Sequence, residues 1–369
     1  MPRSPSYRLP AGAVTRLDAL VDRIEAEPGD VIDVRQFWAL QERVDARAVA
    51  RQLPEGLTEE DFAGILRLAF LTECATETYG AAIEARAQRY GAAWLSRFNT
   101  RVWIPDELTH HTPYKLILMS LGFAEADLDR QVRETQEKAY VHYSGDLPVQ
   151  VTTFGVIQEY LTDNWHGLIA KLMRPAAPEA AYMATRVKRR ETLHTVWYRD
   201  MTALQIEAAP GLIEAMAHSM ANFHMPGNAL VPELQSQSAR WLPLLGTDFQ
   251  RIARDLLRLA YEMSGNPRRT GALIIGLAAE KGLSLGPISA RHVKIALDRL
   301  GGPGYGLLGE ALMERMGLDY MFRRQEGKQD SGYLSYDGVY EKIRGLLRSW
   351  LAQQVDYRFG PLDTGAAAP

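Results

Sequence analysis

Two Glu-x-x-His pairs carry the clearest chemical potential in this chain of 369 residues: Glu107-Leu-Thr-His110 and Glu191-Thr-Leu-His194. Residues three apart on a helix share one face, so each pair can offer a carboxylate oxygen and an imidazole nitrogen to the same cation. Two further acids stand in apolar runs, Glu73 in FLTECAT and Glu159 in TTFGVIQEYLT. The order along the chain is therefore Glu, Glu-x-x-His, Glu, Glu-x-x-His. Four carboxylates would be balanced by two divalent cations. Without metal, the same acids brought together would repel one another and hold protons. Mixed carboxylate and imidazole donors suit iron or manganese better than a thiolate-seeking metal.

These residues need helices to position them, and the periodicity supplies helices. Apolar residues recur at three- and four-residue spacing from Phe62 to Ile83, Trp94 to Leu121, Val151 to Leu172, Ala181 to Leu204 and Phe249 to Met263. Alternating runs bounded by tight turns are scarce, so the fold class is all-α. Leu57-Thr58 before Glu59, Glu60 and Asp61 reads as a capped helix start. Pro105 and Pro113 predict a kink or local unwinding in the second helix. Cys74 follows Glu73 directly, so it points away from that acid's inner face and is expected to be packed. Residues 121–151 read as a long polar connection, which suggests two helical hairpins joined by a crossover in a four-helix bundle. The bundle spans residues 57–228, with 1–56 packing on it and 229–369 forming a helical extension of the same domain. From Pro226 the stretch PGNALVPELQSQ reads as loop, helices then run to about Leu351, Gly301–Gly304 and Gln325–Gly332 are loops, and the end is a frayed tail.

Composition narrows the function classes. Forty-two Lys plus Arg against 45 Asp plus Glu leave a formal charge of -3, so no strong field points to nucleic acid or an anionic membrane surface. No apolar stretch is long enough for a membrane span, and no secretory signal is apparent. The single cysteine fits a reducing, cytoplasmic setting.

At the candidate ligands the chain resembles the soluble acyl-carrier-protein desaturases. Thr72-Glu73-Cys74-Ala75-Thr76-Glu77-Thr78-Tyr79 is similar to that family's Thr-Glu-Glu-Ala-Leu-Pro-Thr-Tyr, and Trp103-Ile-Pro-Asp106-Glu107-Leu-Thr-His110 to its Trp-x-x-Glu-Glu-x-x-His. Gln158, Glu159, Thr162 and His166 match a third-helix motif, and Glu191, His194 and Tyr198 a fourth. Phe223-His-Met225-Pro226 resembles a Phe-x-Met-Pro segment of bacterial members. The resemblance implies a ferritin-like four-helix bundle with flanking and C-terminal helices, working as a homodimer. It implies two iron ions, with manganese as the alternative, held by Glu73, Glu107, His110, Glu159, Glu191 and His194. It further implies an O2-dependent oxidase, with electrons from a ferredoxin-type donor, that desaturates an acyl chain presented on acyl carrier protein. Thr162 takes the place of the family threonine that manages protons; as a residue it reads equally as a helix threonine bonded to a backbone carbonyl.

The departures from the family point elsewhere. Arg190 stands where the family has an Asp that fixes a ligand histidine, while Asp106 keeps an acid at the pseudo-symmetric position, so the surroundings of the two histidines are expected to be lopsided. Thr109 and His111 replace an Arg and a Gly. Glu77, four residues past Glu73, is expected on that ligand's face, and Asp163 and His166 lie near Glu159 on its helix. Together these suggest a more polar site and keep open a hydroxylase or N-oxygenase acting on a polar substrate. An iron-storage or structural metal-binding bundle is a third reading, disfavoured by the chain's length. Arg186, Lys188, Arg189 and Arg190 could receive an acidic carrier, or form a solvated helix face. Met216, Met220 and Met225 could line an adaptable pocket or fill the core.

Overall fold

A capping box opens the first bundle helix. The Thr58 side chain accepts from the Asp61 N–H and Asp61 accepts from the Thr58 N–H, which starts α4 (Glu59–Glu73) where the sequence places it. A computed structural model describes residues 7–138, 140, 145–266, 269–271 and 273. In chain order its helices are α1 (Ala11–Ala26), α2 (Val34–Leu40), α3 (Ala46–Ala50), α4, α5 (Thr76–Arg89), α6 (Ala93–Phe98), α7 (Ile104–Glu107), α8 (His111–Leu121), α9 (Glu125–Gln136), α10 (Pro148–Met173), α11 (Pro178–Ala208), α12 (Ile213–Ala221), α13 (Gly227–Leu230), α14 (Pro232–Leu244) and α15 (Phe249–Ser264). No strand occurs among the described residues, and the protein is an all-α helical bundle.

The first bundle helix is not continuous. It breaks at Cys74–Ala75, and the carbonyls there are satisfied by side chains: Thr72 by the Tyr79 hydroxyl at 3.3 Å, Glu73 by Thr76 Oγ1 at 2.9 Å and Cys74 by Gln136 Nε2 at 3.1 Å. The second helix is interrupted just before each proline, as their missing N–H groups suggest. A π-helical turn, Asn99–Trp103, precedes Pro105 and is tied to α5 by Asn99 Nδ2 donating to the Gly80 carbonyl at 2.9 Å. A tight turn at 108–110 then precedes α8, which carries Pro113 in its first turn, where a missing N–H costs least.

Two further departures come from tertiary packing. The stretch between Leu121 and Val151 holds α9, a mostly polar helix that buries Leu128 against the bundle. The stretch after Pro226 holds α13 and α14, and α14 opens on Pro232 and lies on α4 with Trp241 fully buried. The later loops, the C-terminal helices to Leu351 and the tail lie outside the described residues. The N-terminal segment packs on the bundle, α1 against α11 and α6, α2 and α3 against α8.

The longest helices, α10 and α11, form an antiparallel pair. Gly145, at φ 118°, turns the chain into α10, where a Cβ would strike the Gln150 side chain. Two large apolar cores lie along this pair, with a smaller third around Phe154, Ile157 and Phe223. One gathers α4, α8 and the facing ends of α10 and α11 around Ile169, Met173 and Met183. The other gathers α1, α5, α6 and the opposite ends around Val149, Val156, Trp197 and Met201. Glu159, Glu191 and His194 fall between the two cores in sequence and in space. Cys74 is buried in the first core, its thiol donating to the Leu71 carbonyl at 3.3 Å, as its position after Glu73 implies. Burial raises that thiol to about 12, so it stays protonated.

Candidate metal centre

Each of the four bundle helices contributes at its middle. Glu73 ends α4, Glu107 ends α7 with His110 in the turn beyond it, Glu159 lies within α10, and Glu191 and His194 lie within α11. All six are buried. Their donor atoms form two groups: Glu73, Glu107, His110 and Glu191 in one, Glu107, Glu159, Glu191 and His194 in the other. Glu107 and Glu191 belong to both, so each would be within reach of either of two ions. The buried cluster can hold metal.

The detailed distances have near twofold symmetry. His110 Nδ1 lies 2.8 Å from Glu191, 3.3 Å from Glu107 and 3.9 Å from Glu73. His194 Nδ1 lies 2.7 Å from Glu107, 3.6 Å from Glu191 and 4.0 Å from Glu159. Despite these short separations, Glu107 Oε1, both Glu191 oxygens and both Nδ1 atoms lack properly directed hydrogen bonds. Lone pairs aimed at a common point rather than at each other are what a cation needs, so the residues present fit a pair of metal ions.

No family model matches the chain, and no curated protein matches it. The function must be argued from the site itself.

Charge inside the cluster is finely divided. Burial pushes Glu159 up to about 7, with Glu107 adding to it. Glu191 is raised well above the usual carboxylate range by burial and by the Glu107 and Glu159 charges. Glu107 resists: burial is the largest influence and works upward, but the two imidazoles together hold it at about 2. Those imidazoles rise in turn against their own burial, His110 to about 9 and His194 well above its ordinary value, chiefly through Glu107.

Around the six stand further partners: His166, which the sequence placed near Glu159 as a sign of a polar site, and Trp103 and Tyr114, to which it gave no role. His166 Nε2 lies 3.1 Å from Glu73 Oε1, and His166 Nδ1 meets the Tyr114 hydroxyl at 2.5 Å. Trp103 Nε1 donates to Glu159 Oε1 at 3.1 Å. Sequence signals existed: Trp103 precedes Glu107 by four residues, Tyr114 follows His110 by four, and His166 follows Thr162 by four, all helical-face spacings. Spacing could not say which ligand each would meet.

Several expectations are corrected. Glu77 is exposed and away from the cluster, because the break at Cys74–Ala75 shifts the phase of α5 relative to α4. Asp163 is spent on Lys188 at 2.7 Å and Thr192 at 2.9 Å. His111 packs near Phe70, where burial depresses it to about 4, and it stays neutral. The cationic run on α11 is not one free surface. Arg186 pairs with Asp30, Lys188 with Asp163, and the fully buried Arg190 donates Nε to Asp106 at 2.7 Å and NH1 to the Pro28 carbonyl at 2.7 Å; Arg189 alone of the four is exposed. The expected lopsidedness is present. Asp106 faces His194 Nε2 at 2.7 Å, while His110 Nε2 has no partner among the described residues.

A narrow cavity of about 100 Å³ opens beside the cluster between α4, α10 and α14. Glu73 and Thr162 stand on its wall, whose exposed area is mostly apolar, from residues such as Leu68, Leu161, Trp165 and Phe223, with Asn164, Gln235 and Ser238 among its polar members. The Thr162 hydroxyl lies 3.1 Å from the carbonyls of Gln158 and of Glu159, the backbone bonding of an ordinary helix threonine, yet the residue also lines this cavity. Met225 lines it too, whereas Met216 is core and Met220 is partly buried against that core.

Proposed function

We propose that the protein is an O2-dependent dimetal oxidase, iron being the first choice and manganese the second, that desaturates an acyl chain carried on acyl carrier protein. The observation that carries this reading is the convergence of Glu73, Glu107, His110, Glu159, Glu191 and His194 into two overlapping donor groups with unpartnered lone pairs. The resemblance of the same residues to the acyl-carrier-protein desaturases supplies the reaction, the ferritin-like ancestry, the homodimer and the ferredoxin-type donor.

The chain's own residues then have separable tasks. The six ligands would hold the two ions, whose chemistry is the reduction of O2 coupled to the removal of hydrogen from carbon. In the balanced reaction the substrate loses two hydrogens to form a double bond, and O2 takes these with two electrons and two protons to leave as two waters. The walls of the cavity beside Glu73 exclude water and orient an apolar chain past Thr162. Thr162, on the cavity wall beside Glu73, would hold and pass a proton at its Oγ1 during the reduction of O2.

The largely apolar walls favour an alkyl chain over a polar substrate. Of the residues that suggested a polar chamber, Glu77, Asp163 and His111 point elsewhere or are already paired, and His166 is buried against Glu73 and Tyr114. The test gives metal-loaded protein a reductant, O2 and acyl-carrier substrates, and weighs the product. A mass lower by two hydrogens supports desaturation; labelled oxygen in the product replaces it with hydroxylation or N-oxygenation. Uptake of many iron atoms per chain, instead of about two, would replace both with storage.

A further inference from the structure

The inner donors of the two metal positions match, distance for distance, and so do the contacts to their terminal carboxylates. Glu73 receives one N–H, from His166 Nε2 at 3.1 Å, and Glu159 receives one, from Trp103 Nε1 at 3.1 Å. The direction of the first bond follows from the Tyr114 phenol. That group is fully buried, burial keeps it protonated, and its one hydrogen points to His166 Nδ1. An imidazole that accepts at Nδ1 carries its hydrogen on Nε2, which is therefore the donor to Glu73.

The match ends at the outer nitrogens of the two ligand histidines. His194 Nε2 meets Asp106 Oδ2 at 2.7 Å, and the same oxygen takes the Arg190 Nε–H at 2.7 Å. The guanidinium lies 5.4 Å above the Trp197 ring and bonds the Pro28 carbonyl, so Asp106 is held ionised and in place. His110 Nε2 is equally buried and has no hydrogen-bond partner among the described residues. The residue placed by pseudo-symmetry to serve it is Arg190, which precedes Glu191 as Asp106 precedes Glu107. Arginine has no acceptor to offer, and it reaches across to Asp106 instead. Both unusual groups therefore bond on the side of the same histidine; Asp106 also lies within 4.8 Å of His110, but makes no hydrogen bond to it. A carboxylate at the outer nitrogen fixes an imidazole's tautomer and orientation and raises its basicity, and losing such a partner typically costs about 10- to 100-fold in metal affinity.

We propose that the two metal positions are unequal by construction: a tight one ending in Glu159 and His194, and a labile one ending in Glu73 and His110. The protein fills them in that order and passes through a stable form with one ion. This rests on the dimetal reading above, and deepens it.

The test titrates metal-free protein with Co2+ under anaerobic conditions, following the visible absorption of the bound ion together with calorimetry. Two steps are expected, one ion each, with affinities about tenfold or more apart. The isosteric substitutions Glu159→Gln and Glu73→Gln should weaken the first and the second step respectively. Asp106→Asn should weaken the first step and draw the two together. Two ions bound in indistinguishable steps, or Asp106→Asn acting on the weaker step, would overturn the inequality while leaving the dimetal reading standing. No Co2+ bound by the folded wild-type protein would overturn both.

Discussion

Single side chains in this protein are set by what surrounds them more than by their type. Glu159, raised to about 7 by burial and the Glu107 charge, holds a proton that a cation must displace. Metal uptake should therefore release protons, and apparent affinity should fall as pH drops below about 7, which proton-release measurements in weak buffer would check. His111 gives a second pH dependence. Its folded value is depressed to about 4 by burial, below its ordinary 6.5, so the unfolded chain binds the proton more readily. That penalty is absent above the ordinary value and grows as pH falls toward the folded one, by about 3 kcal/mol at most. His111→Leu should flatten the stability-against-pH curve in that window relative to wild type, in denaturant titrations of metal-free protein. Thr162 separates binding from chemistry. Thr162→Val should keep the bound metal near two ions per chain but lower product formed per O2 consumed, with turnover down by about 100-fold if the hydroxyl carries the proton. Unchanged coupling would return Thr162 to a purely helical role.

At the level of helices, interruptions do the positioning. The break between α4 and α5 leaves Glu73 facing inward at a helix end and turns Glu77 outward, and Thr76 Oγ1 satisfies the Glu73 carbonyl at the break. Thr76→Val leaves that buried carbonyl short of a donor. It should lower stability by about 1 kcal/mol and also weaken metal binding, readable from denaturant midpoints and metal titration. The cavity is built the same way, from α14 lying on α4. Ala69→Phe, filling the space beside Glu73, should leave metal content intact and raise KM for acyl substrates. The π-helical form of the interruption before Pro105, and α14, were not legible in the sequence for a common reason. Asn99 stabilises the first through a carbonyl on another helix, and α14 is a Gln- and Ser-containing segment whose Gln235, Ser238 and Trp241 are buried only once it meets α4. The proline at its start was a usable signal, since proline is favoured at the first position of a helix.

Across the molecule, two apolar cores clamp a band of acid between them, and this costs stability whenever the band is without metal. Ligand linkage then gives a direct expectation. With free metal at 100 times its dissociation constant, one site adds about 2.7 kcal/mol, so chelation should lower the melting temperature by several degrees. Calorimetry of loaded and stripped protein checks this, and equal midpoints would count against a buried metal pair. Among the described residues no helix is long and apolar enough to cross a membrane.

The sequence by itself determined the donors and their spacing, the helical class, and the missing acid at position 190, since each is a property of residue type and of the period of one helix. Only the tertiary structure decided that Arg190 crosses to Asp106, that Tyr114 meets His166 and His166 meets Glu73, that Glu77 turns away, and that α14 walls the cavity. The physical reason is that periodicity fixes a face only within an unbroken helix. Across a break the phase is reset, and between helices the partner is chosen by packing and by the demand that every buried polar group find a bond.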